Sequence, residues 1–309
     1  MSEFFTLAHE AEITVSHQFG TLAASQGLAM ADDPIISMTM ASEDENVLLV
    51  REALVGLARA LDLDVVTLED ILTAVTEACN NVVMHAYPRR TGPLQFELRA
   101  RDQVMEAIVR DAGVGISPRL RSSRSQIAGI GIPVIQSLAQ RVEFRRPVSD
   151  AGTEVRMEFD TVPIDSLDAL AGGIPAIPMP HRPDPESVAV TLAPSQVLRE
   201  MLPRLLGVLG AHADFSTNRL SDVHILADAL AAHAPGALEA DGLALVATVT
   251  PRSLELCIGP LSPAGGERLL GAAEIPTLGS IIERLTDATS MSQRDGTLGM
   301  LTLQLNDRR

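Results

Sequence analysis

Apolar and polar residues follow one another along the first half of the chain in patterns that predict its secondary structure. Residues 94–100 alternate as a half-buried strand does, whereas residues 46–61 carry apolar side chains at helical spacing. The predicted elements are a strand over 35–40, a helix over 46–61, a helix through 68–87, strands over 94–100 and 105–109, a helix over 133–140, and strands over 142–146 and 153–159. This order predicts an α+β fold, a two-layer α/β sandwich whose helices lie on one face of a sheet.

The second half of the chain repeats this pattern in a diverged form. Residues 164–187 are dense in proline and predict a semi-stiff linker. Beyond it, Leu220-Ser221-Asp222-Val223 matches Leu68-Glu69-Asp70-Ile71, and Gly296-Thr297 matches Gly152-Thr153. We therefore expect two tandem copies of one fold, divided as an N-terminal extension (1–33), a first domain (34–163), the linker (164–187) and a degenerate second domain (188–309).

Composition narrows the classes of function. The net charge of −16 disfavours nucleic acid as a partner. The chain contains no lysine, which excludes a P-loop and Schiff-base chemistry, so phosphate would be held by backbone amides, arginine or a metal. Cys79 and Cys257 lie far apart in apolar runs and predict small core residues rather than a disulfide. No apolar run is long enough for a membrane span, and we expect a cytoplasmic protein without a membrane partner.

The helix through 68–87 carries the most informative residues. Glu77 and Asn81 are four positions apart, so both lie on one helical face, opposite the apolar positions. Three glycine-bearing stretches follow in order: Asp111-Ala112-Gly113-Val114-Gly115, Gly129-Ile130-Gly131 and Gly152-Thr153. Each motif alone has an ordinary explanation, a solvated helix residue, a turn or a loop before a helix. Their order on a helix, two loops and a strand resembles the GHKL (Bergerat) ATP-binding fold.

Within that group, the wording Glu77-Ala-x-x-Asn81-x-x-x-His-Ala-Tyr resembles the anti-sigma-factor serine kinases of bacteria. The resemblance implies that Asn81 supplies an oxygen to Mg²⁺, which bridges the phosphates of ATP. It implies that Glu77 is the general base that takes the proton of a serine hydroxyl or of water. The amides of Gly129 and Gly131, ahead of a helix N-terminus, would hold the phosphates.

The same resemblance assigns the adenine end of the site. Asp111 would accept a hydrogen bond from the exocyclic amine of adenine. Gly113 and Gly115 would let the backbone turn and approach the base. Thr153 would support Asp111 through its hydroxyl.

Two positions depart from the family pattern: the arginine position before the second glycine pair, and Gln140, where the helix after the glycines usually ends in Asp in those kinases. Ile127-Ala128 stand where these kinases often place an arginine that reaches the γ-phosphate, and the nearest substitute is Arg124, in a lid-like stretch over 117–126. Alternatively, Arg124 is a solvated residue of a charged loop and does not contact the phosphate. In the second half, alignment puts Ala229 at the position of Glu77 and His233 at that of Asn81, so we expect no ATP binding there.

Two functions remain open from the sequence. The first is an ATP-dependent serine/threonine protein kinase that phosphorylates or sequesters a serine-bearing anti-sigma antagonist or a sigma factor. The second is a non-catalytic ATP-binding interaction module or scaffold in the same kind of regulatory system. The degenerate copy leaves a homodimer and an internal pseudo-dimer both open.

Overall fold

A computed structural model describes residues 34–101, 103–115, 131–146, 151–161, 186–272, 274–275, 279–294 and 298–308. The predicted N-terminal extension, the lid-like stretch over 117–126, and residues 164–185 of the predicted linker lie outside these ranges.

The first half forms the predicted strands and helices, with boundaries shifted by a few residues. Its strands are β1 (Ile36–Ala41), β2 (Pro93–Arg101), β3 (Val104–Asp111), β4 (Arg141–Arg145) and β5 (Glu154–Asp160). Its helices are α1 (Asp44–Ala60), α2 (Val65–Asn81) and α3 (Gly131–Leu138), and a π-helical turn (Val82–Ala86) follows α2. The N-terminus of α2 is capped by Asp64, whose carboxylate accepts a hydrogen bond from the Thr67 amide at 3.0 Å.

The second half contains a similar series of elements. Its strands are β6 (Ser187–Leu192), β7 (Leu243–Thr250), β8 (Ser253–Leu261), β9 (Glu274–Ile275), β10 (Gly279–Ser280), β11 (Ala288–Arg294) and β12 (Leu298–Asn306). Its helices are α4 (Leu198–His212), α5 (Thr217–His233), α6 (Gly265–Ala272) and α7 (Ile281–Leu285), with a short 3-10 turn (Ala234–Gly236) after α5.

The two halves share one sheet, which the sequence did not predict. Ten strands follow the order β11-β12-β8-β7-β6-β1-β2-β3-β5-β4, and β1 pairs with β6 in antiparallel register. The physical reason is that β1 and β6 would each be the edge of a five-stranded sheet. Pairing them satisfies the backbone groups that such an edge leaves open.

The core lies on one face of this sheet. Alternate residues of the central strands point to the helices and are fully buried, among them Met38 of β1, Phe96 of β2 and Leu256 of β8. The helices pack their apolar residues against that face, which gives the predicted two-layer α/β architecture. No helix within the described ranges combines the length and apolar content that a membrane crossing requires.

The two cysteines differ in their surroundings. Cys79 is buried in the core, as predicted, and burial raises the pKa of its thiol to about 12. Cys257 alternates with the core residues of β8, so it points to the opposite face of the sheet and is only partly buried. Both are free thiols, and the prediction of a core position was wrong for Cys257.

Candidate functional site

Glu77 and Asn81 lie at the C-terminal end of α2, whose other face is anchored in the core by Ile71, Ala74 and Ala78. Gly131, the first residue of α3, lies directly against this pair. A Cβ atom at Gly131 would stand 2.9 Å from Glu77 Oε2 and 3.5 Å from Asn81 Oδ1. A side chain at position 131 would therefore fill the space next to the carboxylate and the amide. Glycine leaves that space open and leaves backbone amides at a helix N-terminus beside it.

The π-helical turn after Asn81 is hydrogen-bonded to the loop that follows β3. A π turn widens the helix by one residue, and such turns are frequent at functional sites. Here the Ala86 carbonyl accepts a hydrogen bond from the Val114 amide at 2.9 Å. A Cβ atom at Gly113 would overlap the same carbonyl, so this close approach requires glycine.

Tyr87 makes the second connection to this loop. Its hydroxyl donates to the Pro93 carbonyl at 2.7 Å and accepts from the Ala112 amide at 2.6 Å. Burial raises the pKa of Tyr87 to about 12, and the protonated hydroxyl can both donate and accept a hydrogen bond. This role of Tyr87 was not predicted from the sequence. The available signal was a single tyrosine at a predicted helix end, where a buried hydroxyl needs hydrogen-bonding partners.

Asp111 ends β3 and is 8% exposed. Its carboxylate accepts hydrogen bonds from the Gly113 amide at 2.7 Å and from the Thr153 side chain. Burial raises the pKa of Asp111 above its usual range, and these two hydrogen bonds partly offset that rise. The Asp111 amide also donates to the Thr153 carbonyl at 2.9 Å, which fixes the carboxylate to the start of β5.

Two glycines adopt left-handed backbone conformations beside Asp111. Gly152 has φ +89°, and a Cβ atom there would overlap the Asp111 carbonyl. Gly115 has φ +73° and lies against the Gly152 carbonyl. Both positions are therefore suited to glycine by conformation as well as by space.

The structure thus brings together most of the residues that the sequence singled out. Glu77, Asn81 and Gly131 form one group, and another consists of Asp111, Gly113, Gly115 and Thr153. The bonds from Ala86 and Tyr87 join the segments that bear these two groups. Gly129 and Arg124 lie outside the described residues, and their roles stay predictions.

The two groups fit the two ends of a nucleoside triphosphate. A buried carboxylate with fixed orientation suits an exocyclic amine, and an amide oxygen beside a carboxylate and a helix N-terminus suits a metal–phosphate group. Among the described residues, no cluster of three or more His, Cys, Asp or Glu side chains is arranged to hold a metal ion. A divalent cation held by Asn81 would share its coordination with phosphate and water, as Mg²⁺ usually does in proteins.

Comparison with known proteins supports this interpretation. Residues 40–159 match the family described as a histidine kinase-like ATPase domain. Serine-protein kinase RsbW of Halalkalibacterium halodurans is 31% identical over 153 residues, which cover 46% of this chain and 91% of that protein. Anti-sigma F factor of Caldanaerobacter subterraneus is 28% identical over 134 residues, covering 40% of this chain and 91% of that protein.

Solved structures resemble the chain more distantly. The mycobacterial sensor histidine kinase MprB is 22% identical, with a TM-score of 0.25, over 31% of this chain and 73% of that one. Similarity at this level adds nothing to the match with the ATPase family.

Proposed function

This chain belongs to the GHKL-type family of bacterial serine-protein kinases that includes RsbW and anti-sigma F factor, and we propose that its first domain (34–163) binds Mg-ATP and phosphorylates a serine of a partner protein. The observation that carries the proposal is the position of Gly131, where an added Cβ atom would lie 2.9 Å from Glu77 Oε2 and 3.5 Å from Asn81 Oδ1. It supports a site in which a general base, a metal ligand and phosphate-binding amides are adjacent.

Each residue has one task in this proposal. ATP would supply the phosphoryl group, and a bound Mg²⁺ would neutralise the charge of its phosphates. Asn81 would hold the metal through its amide oxygen, and the amides at the start of α3 would hold phosphate oxygens. Asp111 accepts a hydrogen bond from the adenine amine, and Thr153 keeps its carboxylate oriented. Glu77 orients the serine hydroxyl and accepts its proton as the serine oxygen bonds to the γ-phosphorus and the bond from that phosphorus to the oxygen of the leaving ADP breaks.

We propose an anti-sigma antagonist with an acceptor serine as the substrate, and the same antagonist or a sigma factor as the protein that the kinase sequesters. The support is the names of the relatives, serine-protein kinase and anti-sigma F factor. Because catalysis of this kind is mostly positioning and charge stabilisation, the serine must be presented to Glu77 by a docked protein rather than by a free amino acid.

The alternative is an ATP-binding interaction module without chemistry. It is favoured by Ile127-Ala128 at the position where related kinases often carry an arginine for the γ-phosphate. In that case ATP would control capture of the partner, and Glu77 would be dispensable.

Two measurements distinguish these functions. Titration calorimetry of Mg-ATP into wild type, Asn81→Ala and the control Asn80→Ala tests the site, since residues 80 and 81 point about 100° apart on the helix. We expect binding to be lost only in Asn81→Ala. Loss in both variants or in neither would contradict the assigned metal ligand, and absence of binding to wild type would refute the proposed function.

Transfer of labelled phosphate from ATP to a purified serine-bearing anti-sigma antagonist of the same organism tests the chemistry. In Glu77→Gln we expect the rate to fall by roughly 10²- to 10⁴-fold while ATP still binds. Replacement of the acceptor serine by alanine is the control. ATP binding without any transfer by wild type would favour the interaction module.

A further inference from the structure

The two halves of the chain agree in the details of how their helices begin and end. Asp62 after α1 and Asp214 after α4 are both left-handed, with φ 52° and 53°. Two residues later, Asp64 caps α2 and Ser216 caps α5, each accepting a hydrogen bond from the amide three positions on. Asp62 and Asp214 are as far apart in the chain as Asp64 and Ser216 are. The same pair of helices, joined by the same kind of turn, therefore occurs twice.

The strands repeat in the same way. From the centre of the sheet outwards the first half has β1-β2-β3-β5-β4, and the second has β6-β7-β8-β12-β11. Each of the five first-half strands therefore has a counterpart, in chain order and at the mirrored place of the large sheet, in the second half, and β9 and β10 form a separate two-stranded sheet. Helices α1, α2 and α3 correspond to α4, α5 and α7, and α6 has no described counterpart in the first half.

The junction between the halves lies where these equivalent elements meet. The register between β1 and β6 runs from Ile36 opposite Leu192 to Thr39 opposite Ala189. Above it α1 packs on α4, and a Cβ atom at Gly56 would lie 2.9 Å from the Glu200 carbonyl oxygen. An ion pair of 2.8 Å between Glu52 and Arg204 spans the same helix pair. The elements on the two sides are counterparts, so the junction has the form of a twofold dimer interface.

In the second half, helix α6 lies against the place equivalent to the candidate site. The first site is bordered by α2, α3, the π turn and the start of β5. Their counterparts are α5, α7, the turn Ala234–Gly236 and β12, and α6 contacts all four. Leu269 of α6 is fully buried. On α5, Ala229 and His233 stand where α2 has Glu77 and Asn81.

We infer that residues 186–308 are a built-in second protomer that binds no nucleotide. Helix α6 takes the space that a nucleotide would need, while β6 and α4 cover the surface through which the first half would otherwise pair with another chain. An uncovered β1 would be an open edge available to a second molecule. The full chain is therefore a monomer with a single nucleotide site.

Light scattering after size exclusion, at about 1 to about 100 μM chain and with or without Mg-ATP, tests the oligomeric state. We expect one species of 32.9 kDa throughout. A species of twice that mass would overturn the inference. In the calorimetric titration, one nucleotide per chain is expected, and two per chain would overturn the filling of the second cleft.

Hydrogen exchange tests the junction independently of nucleotide. The amides of β1 and β6 should be protected as in a sheet interior, and Arg204→Glu should speed their exchange roughly threefold to tenfold by placing like charges opposite each other. The swapped pair Glu52→Arg/Arg204→Glu should restore protection. Exchange of wild-type β1 at the rate of an open edge, or exchange in Arg204→Glu equal to wild type, would contradict the junction. A chain that bound no ATP would refute the proposed function and leave these results unchanged.

Discussion

Replacing Tyr87 by phenylalanine removes one oxygen atom from the connection between α2 and the loop after β3. The ring stays in its buried place, but the Ala112 amide loses its acceptor and the Pro93 carbonyl loses its donor. A hydrogen bond contributes a net ~1 kcal/mol, and a buried group left without a partner costs ~1–3 kcal/mol. We therefore expect the free energy of unfolding to fall by about 1–3 kcal/mol.

The same change should weaken recognition of adenine. Ala112 lies between Asp111 and Gly113, and the hydrogen bond from its amide to the Tyr87 hydroxyl holds this loop in place. Without that hydroxyl the loop is less ordered in the free protein, and nucleotide binding must order it. If that ordering costs ~1–2 kcal/mol, affinity for ATP falls about 5- to 30-fold. Inosine triphosphate lacks the exocyclic amine and does not use the oriented carboxylate. Its affinity should fall less, and the preference for ATP over ITP should shrink.

Calorimetry with ATP and ITP, together with urea unfolding, measures both effects. The matched control is Ser253→Ala, which removes a hydroxyl that donates to Asn306 at 2.9 Å in the second half, far from the loop along the chain. It should lower stability and leave the ATP/ITP ratio unchanged. The reasoning is refuted if Tyr87→Phe loses stability but keeps the wild-type affinity and ratio, because the hydroxyl would then be structural only.

Three further predictions concern Asp111, Gly152 and the cysteines. Burial raises the pKa of Asp111 in the folded protein, so the ionised carboxylate destabilises the wild type above that pKa and the protonated carboxyl does not. Asp111→Asn should therefore be the more stable protein at neutral pH and should lose this advantage in acid. Urea unfolding from about pH 8 down to about pH 4 checks the sign, and ATP binding should be lost in this variant. Gly152→Ala should cost about 3 kcal/mol or more, because its φ is left-handed and its Cβ would overlap a carbonyl, whereas Gly236→Ala, with open space around the Cβ, should change unfolding little. In the native protein, iodoacetamide followed by mass spectrometry should label Cys257 in preference to Cys79, and equal labelling would show that Cys79 is not buried.

Local patterns in the sequence predicted the parts of the fold that depend on local physics. The helical spacing from Leu68 to Val82 predicted which face of α2 is buried. It therefore also predicted that Glu77 and Asn81 lie together on the opposite face of the helix. The Asp-x-Gly-x-Gly stretch predicted a turn after a strand, and the structure has that turn directly after β3.

Long-range pairing could not be predicted in the same way. The residue types of β1 and β6 favour strands, but they contain nothing about which strand lies beside each, so the joined sheet was missed. The π turn was missed because a change in backbone hydrogen bonding leaves the residue types of a helix unaltered. The role of Tyr87 depends on both, since its partners Pro93 and Ala112 are placed by the strands that follow.

The joined sheet also bears on how such a chain evolves. After a gene duplication, the copy that has lost its activity is usually free to decay or to be deleted. Here deletion of the second half would remove β6 from the side of β1 and expose an edge of the first half. Selection for stability alone would then retain β6 and α4, while the residues around the filled cleft drift as long as they pack. The second half would then persist because its removal would leave β1 unpaired.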